Sequence, residues 1–231
     1  MNNVLVEGLH GHGAVPPSLV KRTYRRVFRP LIGQASVPFD WSVGFDLEDK
    51  VALSRKNQGE SFSCAGQAGS YFLEAQRKLK GIQEVISAKS IYSPIHYKNG
   101  GATVDSMETQ ISLDGGNLES DVPSYENGQT PTEQFMEDTS WKNEFFYHDA
   151  MKRAGFTPHR VSADIESIAE AIRDYDGVIV MVTGQNNGTW LSAYPVPPDK
   201  NNANGLWNHY LFLKGAKMIN GKKYLLGLNS W

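Results

Sequence analysis

Only one cysteine, Cys64, occurs in 231 residues. A single thiol excludes an intrachain disulfide framework and the Cys-rich structural zinc sites. No run of 18 apolar residues is present, which excludes a membrane-spanning helix. Residues 1–13 have neither the basic region nor the apolar stretch of a secretory signal. An excess of one charge is missing too. The 23 Lys and Arg against 25 Asp and Glu give a net charge of −2, so bulk electrostatics predicts no nucleic-acid partner and no acidic tail. With no apolar run long enough to span, no membrane partner is expected. There is no internal repeat and no low-complexity tract. What is present, 40% hydrophobic and 21% charged residues, suits a chain with a sizeable core. The lack of disulfides and of a signal favours the cytoplasm.

The chain divides by composition. Residues 1–36 carry Lys21, Arg22, Arg25, Arg26 and Arg29 against Glu7, with breaks at Pro16-Pro17 and Pro30. They read as a basic N-terminal extension or short prosegment ahead of a domain over residues 37–231. His10-Gly11-His12 reads as a flexible loop, because a metal site needs more ligands than this pair. No metal and no cofactor is expected.

Within the domain, helices come first. Apolar positions Ala65, Ala68, Phe72, Ala75 and Leu79 predict a helix from Cys64 to near Gly81, with Ser61 or Ser63 as its N-cap. Ser87–Tyr97, interrupted by Pro94, and Thr103–Leu113 are further helical candidates. Thr132–Ala154 reads as one polar helix, with Trp141, Phe145 and Phe146 turned to the core. Asp164–Tyr175 is amphipathic. The β-branched run 177–182 predicts a buried strand. Residues 206–219 and 223–228 predict a hairpin about Asn220-Gly221. Helices before strands argue an α+β fold.

Cys64 is the candidate nucleophile. A helix N-terminus favours an anion at the thiol. Gln58, six residues upstream, offers an amide that can donate to an oxyanion beside the sulfur. His209 and Asn229, on adjacent hairpin strands, supply a base and a residue to hold its imidazole in the useful tautomer.

The segment Lys56-Asn57-Gln58-Gly59-Glu60-Ser61-Phe62-Ser63-Cys64 resembles the nucleophile segment of the papain-like cysteine peptidases, K-N-Q-G-S-C-G-S-C. Further likenesses follow in order. Pro38-Phe39-Asp40-Trp41 resembles the mature start, residues 87–93 an L-S-E-Q-x-L-V-D segment, and Gly100-Gly101 the substrate-binding glycines. Pro123-Ser124-Tyr125 resembles a Pro-Tyr, Asn208-His209 the histidine segment, and residues 222–231 the segment ending in Asn-Ser-Trp. The resemblance implies a papain-like fold, with a helical half carrying Cys64, a β-sheet half carrying His209 and Asn229, and a cleft between them. It implies a monomeric thiol endopeptidase acting on peptide or protein substrates. Cys64, His209, Asn229 and Gln58 would be catalytic, and Trp231 would shield the Asn–His bond. Gly100, Gly101 and Phe62 would bind substrate, Gly101 through its backbone. Asn208 is a further substrate-binding candidate through its place beside His209, with plain packing as the equal alternative.

The sequence departs from that pattern in four places. Ser61 replaces a disulfide cysteine, Phe62 a glycine bordering the substrate pocket, and Ala65 a tryptophan. The family pattern also continues beyond Asn-Ser-Trp. These departures keep a second expectation open: a papain-like binding or structural module without catalysis.

Overall fold

The computed structural model describes residues 37–125, 128–185 and 206–230. The N-terminal basic segment, His10 and His12, and Trp231 lie outside the described residues.

One helix, α1 (Cys64–Leu79), is buried on almost every side. Its small residues Ala65, Gly66, Ala68 and Gly69 allow close approach from two directions. On one side lies α2 (Ala88–Tyr92), on the other the strands β2 (Val178–Gln185) and β3 (Leu206–Ile219). Tyr71 of α1 stacks on Phe212 of β3 with ring centroids 6.3 Å apart. Such pairs add about 0.5–1.5 kcal/mol beyond burial, so the ring pair ties the two halves at their seam. The helical half continues with α3 (Val104–Thr109), a π-helical turn Gln110–Asp114, α4 (Glu133–Glu137) and α5 (Glu144–Met151).

Strand β3 is the spine of an antiparallel sheet. β2 pairs along residues 206–213, β4 (Lys222–Leu228) along 212–219 on the opposite edge, and the two-residue β1 (Phe45–Asp46) at Gly215 and Ala216. The β3–β4 turn has Asn220 at φ 49° and Gly221 at φ 73°, the left-handed pair that hairpin turns of this kind require. Helix α6 (Ile165–Tyr175) lays its apolar stripe on β3, where Ala169 and Ala216 pack with Phe39 and Trp41. The α+β architecture, helices first and sheet last, is therefore as the sequence predicts.

Several local expectations are corrected. The single helix over 132–154 is two. Thr132 and Asn143 each accept a backbone N–H as N-cap, from Phe135 and Phe146. Between them Asp138 turns the chain by accepting from the Ser140 N–H at 3.0 Å. Phe145 is 71% exposed rather than core. Ser63 occupies the N-cap of α1 but makes no side-chain cap, because its hydroxyl is engaged by Ser61 and Gln67. Strand β2 is half-buried, not buried; among the described residues it pairs on one side alone, with β3.

Candidate functional site

Cys64 is the first residue of α1, where the backbone N–H groups of the opening turn point outward and favour negative charge. The thiol is fully buried. It shares a packed cluster with Ala68, Tyr92, Ala102, Met107 and Tyr210. Tyr210 is the strand neighbour of His209, so α1 and the His209 strand pack together at the α1–β3 seam.

The segment leading into Cys64 is pinned at successive N–H groups. Ser54 donates to Glu74 Oε1 at 2.7 Å, Lys56 to the Tyr71 hydroxyl at 2.9 Å, and Asn57 to the Tyr125 hydroxyl at 2.7 Å. Gln58 N–H donates to the Ser230 carbonyl at 2.6 Å. The Lys56 ammonium is buried against Glu74 at 3.1 Å and the Ile86 carbonyl at 3.0 Å. Burial pulls the Lys56 ammonium below its ordinary pKa. Burial also pushes the Glu74 carboxyl up, but Lys56, Lys78 and the Ser54 N–H overturn this and hold it below its ordinary value. Burial raises the Tyr71 phenol to about 12. It stays protonated and donates to the Asn229 carbonyl at 3.2 Å.

Gln58 is thereby coupled to the end of β4. Its Oε1 accepts from the Ser230 hydroxyl at 2.6 Å, and its Nε2 donates to the Ser61 carbonyl at 2.9 Å. The Ser230 N–H donates to Asn229 Oδ1 at 2.9 Å. A backbone N–H can only donate, so this bond fixes which end of the Asn229 amide is oxygen. His209 Nε2 lies 2.8 Å from the same oxygen. Nε2 must then carry the proton, and in the neutral ring Nδ1 bears the lone pair. The Trp207 ring stands edge-on to His209, centroids 6.2 Å apart, on the same strand face. Asn208 points to the other face, where its Oδ1 accepts from Thr183 at 2.9 Å. The structure thus gathers Gln58, Asn229, His209 and the helix terminus of Cys64, and turns the Asn208 side chain away from the His209 ring.

The predicted substrate glycines adjoin a second network. Gly101 N–H donates to the Tyr92 hydroxyl at 2.7 Å, and the Gly101 carbonyl accepts from Tyr97 N–H at 2.9 Å. Both groups of Gly101 are engaged inside the chain. Tyr92 donates in turn to Glu133 Oε1 at 2.5 Å, while Glu133 Oε2 accepts from Phe62 N–H at 2.5 Å. Burial pushes the Glu133 carboxyl above its ordinary pKa, against the pull of these two donors. The Phe62 ring lies on Gly100. Glu133 and Tyr92 are absent from the sequence-based expectation. Glu133 is 41 residues from Tyr92 and 71 from Phe62, and no local pattern marks such a link.

The fold is that of the papain-like cysteine proteases. Xylellain, a cysteine protease from Xylella fastidiosa, superposes with a TM-score of 0.64 at 16% identity, over 94% of this chain and 82% of that one. The digestive procathepsin L 3 of Tenebrio molitor larval midgut gives 0.62 at 22% identity, over 85% and 62%. The proform of the Amb a 11 cysteine protease, a ragweed pollen allergen, gives 0.55 at 19%, over 84% and 56%. The chain therefore spans less than two thirds of the latter two. No protein-family model matches the chain, and no curated protein matches it in sequence.

Proposed function

We propose that this chain is a cysteine peptidase that hydrolyses peptide bonds through a Cys64–His209 pair. The observation that carries the reading is the double acceptance at Asn229 Oδ1, from Ser230 N–H and from His209 Nε2. It leaves Nδ1 as the basic nitrogen of a neutral imidazole whose strand neighbour packs beside Cys64. His209 takes the thiol proton. The thiolate attacks the scissile carbonyl, and Gln58 Nε2 with the Cys64 N–H stabilises the oxyanion. The C–N bond breaks as His209 returns the proton to the leaving amine, and water then hydrolyses the thioester. Trp207 screens the His209–Asn229 bond, a role the sequence resemblance gives to Trp231.

The test is labelling of the full chain with an epoxysuccinyl peptide. Covalent mass addition at Cys64, absent in Cys64→Ser and strongly slowed in His209→Ala, is the expected result. A Cys64 that stays unlabelled contradicts the proposal.

The complete burial of Cys64 and the internal engagement of Gly101 favour a second reading, a papain-like binding module. It requires a stably folded chain that cleaves nothing in a diverse peptide library and whose thiol reacts no faster than an unstructured cysteine.

A further inference from the structure

We infer that the helical half carries a second binding site, a cavity that takes a primary ammonium on a short apolar stem, as an aliphatic amine or a lysine side chain presents it. The cavity measures about 360 Å³, within the usual range of small-ligand sites. It lies between α2, the π-helical turn and α5, and none of Gln58, Cys64, His209 and Asn229 lines it. Two buried carboxamides do line it, Gln110 at 6% exposure and Asn117 at 1%. Asn117 Nδ2 donates to the Phe146 carbonyl at 2.8 Å, and Gln110 Nε2 to the Gly115 carbonyl at 3.2 Å. A carbonyl can only accept, so each bond fixes which end of the amide is nitrogen. The other end is oxygen, and neither oxygen receives a donor from the described residues. A buried acceptor without a donor is costly, so a ligand that fits this floor is one that donates.

The charge of the ligand follows from the rim. Asp114 ends the π-helical turn and Glu144 opens α5. Both line the cavity, and neither carboxylate makes a hydrogen bond or close ion pair among the described residues. Against them stands a single lining cation, Lys142, whose side chain is exposed. Burial pulls the Lys142 ammonium below its ordinary pKa, against the attraction of Asp114. Negative charge is therefore in excess around the opening. Trp141 and Tyr147 supply aromatic walls. The indole is fixed in place, with Nε1 donating to the Ser93 hydroxyl at 3.2 Å and the ring edge-on to Phe146, centroids 6.2 Å apart. Such rings cover methylenes and attract cations. An ammonium brings three donors for two amide oxygens and a carboxylate. A carboxylate ligand would meet acceptors and like charge, and an alcohol offers one donor alone.

Four probes titrated into the isotope-labelled full chain test this: pentylammonium, Nα-acetyl-lysine N-methylamide, pentanol and pentanoate. The readout is the Trp141 indole N–H resonance, identified by its loss in Trp141→Phe. The two ammonium probes are expected to shift it saturably, and the tighter of them names the source of the amine. Asp114→Asn is expected to weaken their binding by about tenfold. Lys142→Gln removes the opposing charge and is expected to tighten it. Gln110→Met removes one buried acceptor and is expected to weaken it. Gln110 is buried, so Asp114→Asn, at a half-buried position, carries the decision if the Met variant fails to fold. Several results overturn the inference: no saturable shift with either ammonium probe, equal binding of pentanol, tighter binding of pentanoate, or an affinity unchanged in folded Asp114→Asn. The readout involves neither Cys64 nor turnover, so this result and the peptidase proposal stand or fall separately.

Discussion

Asn229 Oδ1 accepts from His209 Nε2 at 2.8 Å and from the Ser230 N–H at 2.9 Å. The second bond gives the first its meaning. It orients the amide by a group that cannot act as acceptor, and so selects the histidine tautomer. Asn229→Ala is predicted to lower the His209-dependent alkylation rate of Cys64 by about tenfold or more with the fold intact. Asn229→Asp keeps the acceptor and adds a negative charge beside the ring. It is predicted to extend the imidazolium form to higher pH, shifting the alkaline limb of the rate profile upward.

The Lys56–Glu74 pair anchors the segment before the nucleophile. Glu74→Gln leaves the Lys56 charge buried and is predicted to cost about 3–5 kcal/mol in urea unfolding. Lys56→Met combined with Glu74→Gln removes both charges and is predicted to recover a large part of that loss. Additive losses would show that the two residues are not coupled.

Asp164 caps α6 by accepting from the Ser167 N–H at 2.9 Å. Backbone and side-chain hydrogen bonds to Ser167 hold its carboxyl below the ordinary aspartate pKa. A depressed folded-state value means that the cap contributes fully above the unfolded pKa and is lost as pH falls through the lower folded one. Asp164→Ala is predicted to cost about 1 kcal/mol at neutral pH, read as a lower Tm. Asp164→Asn is predicted to keep most of the cap while removing this acid dependence.

Where structure is written locally, the sequence carries it. The apolar spacing from Ala65 to Leu79 defines α1, and Asn220-Gly221 defines the β3–β4 hairpin. Ser87, Thr103 and Asp164 each cap the helix they precede. The division of 132–154 was available in principle, since Thr132 and Asn143 are both capping residue types, but apolar periodicity carries no sign of the turn at Asp138. Ser63 fails as a cap because Ser61 and Gln67, two and four residues away, engage its hydroxyl instead, a competition that residue type alone does not decide. The site shows the same contrast. Cys64, Gln58, His209 and Asn229 are legible as residue types suited to one chemistry. The staples that position them, Ser230 on Gln58, Tyr71 on Asn229 and Glu133 on Phe62, join residues 172, 158 and 71 positions apart and exist only once the chain has folded.

The central claim is that His209 activates Cys64. The most direct measurement is the rate of Cys64 alkylation by iodoacetamide across pH, in the full chain and in His209→Ala. The account predicts rapid alkylation well below the pH at which an ordinary thiol ionises, with an acid limb that disappears in His209→Ala. A rate that follows a single ordinary thiol ionisation, unchanged by His209→Ala, would contradict it.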